Sequence, residues 1–184
     1  FGQWNQGRLQ SFLIEITHHI FQKKDTETGQ DLVDLILDKA KQKGTGKWTS
    51  QNAMDLGIAI PTVDAAVSAR VLSSLKSLRG EMGNSYPKPT ASSANLAELA
   101  KQAEEALFFG YLCSYAQGFA QLQAASEAYG YGLELEGIAK IWRGGCIIRA
   151  AMLEQFRQAY AQQPHLPHLF QDAALRPALQ KAVA

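Results

Sequence analysis

Apolar residues recur at the three-to-four-residue spacing of a helix along almost the whole chain. Leu9, Phe12, Leu13, Ile16 and Ile20 mark one face of an opening helix, which the polar stretch 22–30 ends. Leu32, Leu35 and Ile36 predict a short second helix. Pro61 is placed as a first-turn proline, with Asp64 near the positive end of the dipole. From there Val63, Val67, Val71, Leu72, Leu75 and Leu78 continue one helical run. Residues 79–94, rich in Gly, Ser and Pro, predict a surface connection. Asn95 then caps the longest helix, with Glu98 three residues on in a capping-box arrangement, and Gly130 and Gly132 end it. Gly110 and Gly118 lie inside that helix, each costing about 1 kcal/mol relative to alanine; this predicts close helix–helix approach at both. Helices are expected at 135–142 and 145–160, with short pieces after Pro164 and Pro177. No segment alternates as a strand would. The expected fold is all-α, with residues 1–184 forming one domain.

A repeat runs through this pattern. Trp4-Asn-Gln-Gly7, followed by an apolar run that reaches Glu15, returns as Trp142-Arg-Gly-Gly145, followed by a similar run to Glu154. The long helix precedes the second copy, whereas almost nothing precedes the first. The expectation is a piece of a larger protein, with half of the first unit outside the chain.

Composition narrows the classes. At 46% hydrophobic and 19% charged, the chain is of ordinary globular character, and a net charge of +1 gives no reason to expect nucleic acid or a membrane as partner. No apolar run approaches the roughly 20 residues needed to span a bilayer. Cys113 and Cys146 read as buried free thiols. His18 and His19 are adjacent on a helix, and His165 and His168 sit beside prolines without ligands at metal spacing, so no metal site is expected. Trp4, Trp48 and Trp142 read as packing anchors, and Tyr111, Tyr115 and Phe119 as core. Arg143 and Arg149 are expected to pair with Glu134, Glu136 or Glu154.

Candidate chemistry lies in Lys41-Gln-Lys-Gly-Thr-Gly-Lys-Trp-Thr49. Lysines, hydroxyls and glycine-freed N–H groups are what a phosphate monoester needs. Trp48 follows Lys47 where a Walker A loop has Ser or Thr, and the glycine spacing differs, so this is not that loop. A solvated basic turn is the alternative. Arg70 sits among Ala66, Val67, Ala69, Val71 and Leu72, where an unpaired guanidinium would be costly to bury. It must meet a carboxylate such as Asp34, Asp38 or Asp64, or an anion shared with residues 43–47.

These strings, with Ser11-Phe-Leu-Ile-Glu-Ile-Thr17, Ser114-Tyr-Ala-Gln-Gly-Phe119 and Trp142-Arg-Gly-Gly-Cys-Ile-Ile-Arg149, resemble the decarboxylating 6-phosphogluconate dehydrogenase family over nearly the whole chain. The resemblance is to the helical domain alone. It implies a cytoplasmic, homodimeric enzyme that oxidises 6-phosphogluconate with NADP to ribulose 5-phosphate and CO2. It implies that NADP is held by an N-terminal Rossmann domain lying before Phe1, and that the general base and proton donor also lie before Phe1. A C-terminal tail contributing across the dimer would lie beyond this chain. By the same resemblance Lys43, Thr45 and Arg70 bind the substrate's phosphate, and no residue here is catalytic in the strict sense. Ser68 stands where the family usually has Phe, and Lys41 where it usually has Gly. The other class of reading is a non-catalytic helical interaction module with an anion-binding loop.

Overall fold

Ser11 opens the first helix by accepting the Ile14 N–H on its hydroxyl at 3.3 Å, so the helix, α1, spans Phe12–Gln22 rather than starting at Leu9. The computed structural model describes residues 1–41, 43–87 and 95–183. After α1 come α2 (Leu32–Leu35), α3 (Thr45–Asp55), α4 (Pro61–Ser74), α5 (Lys76–Ser85), α6 (Leu96–Tyr129), α7 (Leu135–Ile141), α8 (Leu153–Gln162) and α9 (Arg176–Val183), with short 3-10 turns at Trp4–Gln6 and Leu169–Gln171. Isolated bridges aside, no strand occurs among the described residues. Among the described residues no helix is long and apolar enough to cross a membrane.

The 34-residue α6 is the axis. Its Asn95 cap accepts the Ala97 N–H at 3.0 Å, while Glu98 accepts from Gln102 rather than closing a capping box. Gly130 ends it at φ +68°. Phe108, Leu112, Ala116 and Phe119 form its buried stripe, at the spacing of one helical face. Phe119 packs at 5.1 Å from Trp142 and 5.2 Å from Tyr160, ring centre to ring centre. With Phe156, Leu153 and Leu169 these rings make the core, and Leu9 and Ile14 join it from the N-terminal segment. Each such side chain contributes about 1.5–3 kcal/mol by leaving water.

The two copies of the repeat meet each other. Ser11 and Ala150 form an antiparallel bridge, in which Phe12 N–H donates to Arg149 C=O at 3.0 Å and Ala151 N–H to Gln10 C=O at 2.9 Å. That extended stretch, with Gly145 at φ +71°, delays the helix expected from 145 until Leu153. Arg149 accordingly pairs with Glu15 of the first copy, not with the acids of its own neighbourhood, whereas Arg143 does pair with Glu154.

Other departures have local causes. The run from Pro61, expected to reach Leu78, breaks at Leu75, and residues 76–85, of which 79–85 were expected as connection, form α5. Arg79 folds back to donate to the carbonyls of Ser73 at 3.2 Å and Asp38 at 2.6 Å, which holds α5 off the axis of α4. Residues 88–94 of that connection lie outside the described residues. An added Cβ at Gly110 or Gly118 would meet nothing within 4 Å, so neither glycine marks a close approach between described elements. Trp4 and Trp142 anchor against the core, but Trp48 is 65% exposed. Cys113 and Cys146 are free and only partly buried.

Candidate functional site

Half of the expected loop is helix. Gly44 turns the chain at φ +112°, a backbone shape that side-chain-bearing residues rarely adopt, and α3 starts at Thr45. Its first-turn N–H groups have no side-chain cap. They face out with the positive end of the dipole, as an anion site requires. Gly46 serves a different end: a Cβ there would stand 3.0 Å from Val67 Cγ2, so the missing side chain lets α3 and α4 approach.

The connection between those helices is tight. Gly57 at φ +68° closes α3, with Ile58 N–H reaching Ala53 C=O at 2.8 Å, and Pro61 opens α4. The Ser50 hydroxyl donates to Asp64 Oδ1 at 2.6 Å across the pair. Positions 47, 50, 51 and 54 of α3 then face 67, 70, 71 and 74 of α4, each set spaced i, i+3, i+4, i+7. Between them is an open cleft of about 680 Å³.

Lys39, Lys41, Lys47 and Arg70 all line this cleft, and among the described residues no carboxylate does. Four like charges around one space favour an anion. Arg70 lies exposed in α4, which has no fully buried residue; the burial expected from its apolar neighbours is therefore corrected. Its Nε donates to the Lys41 carbonyl at 3.3 Å, and no ion pair engages it among the described residues. Two of the carboxylates offered by the sequence are used elsewhere. Asp64 holds Ser50, and Asp38 binds Lys76 and, at 3.0 Å, Arg79; the hydrogen bonds from Lys76 and then Arg79 hold the Asp38 carboxyl down at about 2.

Arg70 thus reaches the segment before α3 and shares a cleft with Lys47. Thr45 lies on the other side of α3, lining a second cavity of about 600 Å³ with Thr49, Tyr111, Tyr115, Trp142 and Arg149. Tyr115 donates its hydroxyl to Ile148 C=O there, and burial pushes its ionisation well up. Lys43 is exposed at the entry to α3 and lines neither space; Gln42 lies outside the described residues. The three expected phosphate ligands therefore surround the start of α3 from different sides. Sequence reasoning passed over Lys39, and it left Gln117 and Gln121 of α6 without a role. Gln117 accepts the Thr62 N–H at 3.0 Å, and Gln121 donates to Thr49 C=O at 2.9 Å.

Among the described residues no group of three or more His, Cys, Asp or Glu is placed to hold a metal ion. A dinucleotide fold needs a glycine-rich turn between strand and helix, and the described residues contain no strand to carry one.

By class this is an all-helical domain with a basic cleft between two of its helices. The chain belongs to the 6-phosphogluconate dehydrogenase family: the family model described as "6-phosphogluconate dehydrogenase, C-terminal domain" matches residues 1–184. The NADP(+)-dependent, decarboxylating 6-phosphogluconate dehydrogenase of Bacillus subtilis (strain 168) is 51% identical over 175 residues, which cover 94% of this chain and 37% of that protein. The NAD(+)-dependent, decarboxylating enzyme of the same organism is 48% identical over 171 residues, 92% of this chain and 36% of that protein. Among solved structures, Plasmodium falciparum 6-phosphogluconate dehydrogenase, described in its apo form and in complex with its cofactor NADP+ and its substrate 6-phosphogluconate, superposes with a TM-score of 0.91 at 40% identity, covering 99% of this chain and 40% of that one. The chain therefore spans little more than a third of the length of these relatives.

Proposed function

We propose that this chain is the substrate-gripping and subunit-contact domain of an NADP-dependent enzyme that oxidatively decarboxylates 6-phosphogluconate to ribulose 5-phosphate and CO2, in the cytoplasm and as a homodimer. The observation that carries the reading is Arg70, without a carboxylate partner among the described residues, in a cleft of four cations beside the start of α3. Lys43, Thr45 and Arg70 hold the phosphate: Arg70 through its terminal nitrogens, Thr45 through its hydroxyl and first-turn N–H, Lys43 as a point charge. Holding a group remote from the reacting carbon uses binding energy to place that carbon against the redox and acid–base groups. NADP supplies the hydride acceptor when bound. The relatives named for NADP and for NAD match this chain almost equally, as expected if the domain grips substrate and leaves the choice of cofactor to another part.

Calorimetric titration of the enzyme with 6-phosphogluconate tests the grip. Arg70→Ala should weaken binding by about 10–100-fold, the size of one or two charge-assisted contacts. Lys24→Ala should leave affinity unchanged, since Lys24 pairs with Asp31 at 2.8 Å in another part of the chain. Equal affinity for wild type and the Arg70 variant would leave the interaction-module reading in its place.

A further inference from the structure

We infer that Gln117 and Gln121 of α6 are positioning residues for the anion grip, setting how α3 and α4 stand to each other and so where Arg70 sits. The inference rests on the reading of Arg70 as a substrate ligand. The two amides are one helical turn apart on the same face of α6. Gln117 Oε1 accepts the N–H groups of Thr62 at 3.0 Å and Val63 at 3.4 Å, and its Nε2 donates to Thr62 Oγ1 at 2.9 Å. The helix it caps has no cap of its own: Ile60 holds the N-cap position, without a side-chain bond, and Pro61 lacks an N–H. Gln121, only 8% exposed, donates to Thr49 C=O at 2.9 Å and to Asn52 Oδ1 at 3.0 Å.

One helix therefore holds α4 by its first turn and α3 by its middle. Fully buried apolar residues of the pair are limited to Ala53 and Ile60, so the directional bonds from α6 add to the Gly46–Val67 approach in setting the angle. Arg70 lies eight residues beyond Thr62, about 12 Å along the axis, so a 10° tilt of α4 about its held end moves Arg70 by about 2 Å. That is enough to separate a guanidinium from a phosphate it bonds. An amide suits position 117 because one side chain must accept from two backbone N–H groups and donate to a hydroxyl.

Steady-state kinetics of the full-length enzyme test this. In Gln117→Met, KM for 6-phosphogluconate should rise about fivefold, the loss expected of a cap bond, with kcat within about twofold of wild type. Gln117→Glu keeps the acceptor and should restore most of the wild-type KM. Arg70→Ala, run in parallel, should raise KM by about 10–100-fold. An unchanged KM in Gln117→Met beside a lowered Tm shows that the amide only holds the fold, and overturns the inference. An unchanged KM in Arg70→Ala removes the grip reading itself, so the two failures are distinct. If Gln117→Met is too unstable to assay, Thr62→Val, which removes the hydroxyl's bonds to Gln117 and Cys113 and leaves the backbone N–H contacts, should still raise KM by about twofold, and no rise there overturns the inference.

Discussion

Gly44 and Gly46 stand two residues apart in one motif and are needed for different reasons. At φ +112° Gly44 has a shape that alanine adopts only under strain, so Gly44→Ala should destabilise the domain by about 1–3 kcal/mol. Gly46 is helical; alanine there gains about 1 kcal/mol in propensity while its Cβ presses on Val67. Its net effect on stability should be small, but it should wedge α3 from α4 and weaken phosphate-ester binding severalfold. Urea titration and calorimetry on both variants separate strain from spacing. His168 gives a pH dependence. Its Nδ1 accepts the Phe170 N–H at 3.2 Å, and burial lowers its pKa below the ordinary 6.5. The unfolded chain therefore takes up the proton first, so this stabilisation is full above about pH 6.5 and is lost as pH falls through the lowered value. Thermal melts at pH 7.5 and 5.5 should show a larger drop in Tm for wild type than for His168→Asn, whose short side chain does not titrate.

Among elements, α7 and α8 are joined by charge on the face where they leave the core. Arg157 reaches Glu154 and Glu136, each at 2.8 Å, and Arg143 adds to Glu154. The Arg157 hydrogen bonds hold the Glu154 carboxyl at about 2, against an ordinary 4.5. A carboxylate depressed in this way stabilises the fold above the unfolded value and ceases to do so as pH falls from about 4.5 to about 2. Arg157→Ala should lower Tm at pH 7 and flatten the acid limb of the stability profile, because that coupling is already gone; an unchanged acid limb would place it elsewhere. The sequence foretold the Arg143 pair but not the Arg149–Glu15 pair, since the partners are brought together by a bridge between two distant copies of one repeat.

Across the whole molecule, apolar side chains remain outside on α4 and α5: Val71 is 48% exposed, Leu72 60% and Leu78 51%. Exposed apolar side chains of this kind are what a contact between copies would cover. The 184-residue chain should therefore associate, and sedimentation showing a monomer at micromolar concentration would count against the homodimer. The same chain should make no NADPH from 6-phosphogluconate and NADP, since its described residues offer no dinucleotide cradle. A cofactor assay on purified protein of this length checks that.

The sequence by itself determined the all-α class, most of the longer helices and the family, because a 3.6-residue apolar period and a capping residue act within a few turns of one another. It was thus enough for most of α1, for the length of α6 and for Phe119 in the core, while Tyr111 and Tyr115, read as core with it, are only partly buried. Only the tertiary structure decided that the motif around Gly44 is half helix, that Arg70 meets Lys41 and Lys47 rather than Asp38, and that Thr45 faces the opposite side of α3. It also gave Gln117 and Gln121 their places. Those outcomes depend on distances between segments far apart in the chain, from 29 residues for Lys41 and Arg70 to 72 for Thr49 and Gln121, and no local period records how two helices approach.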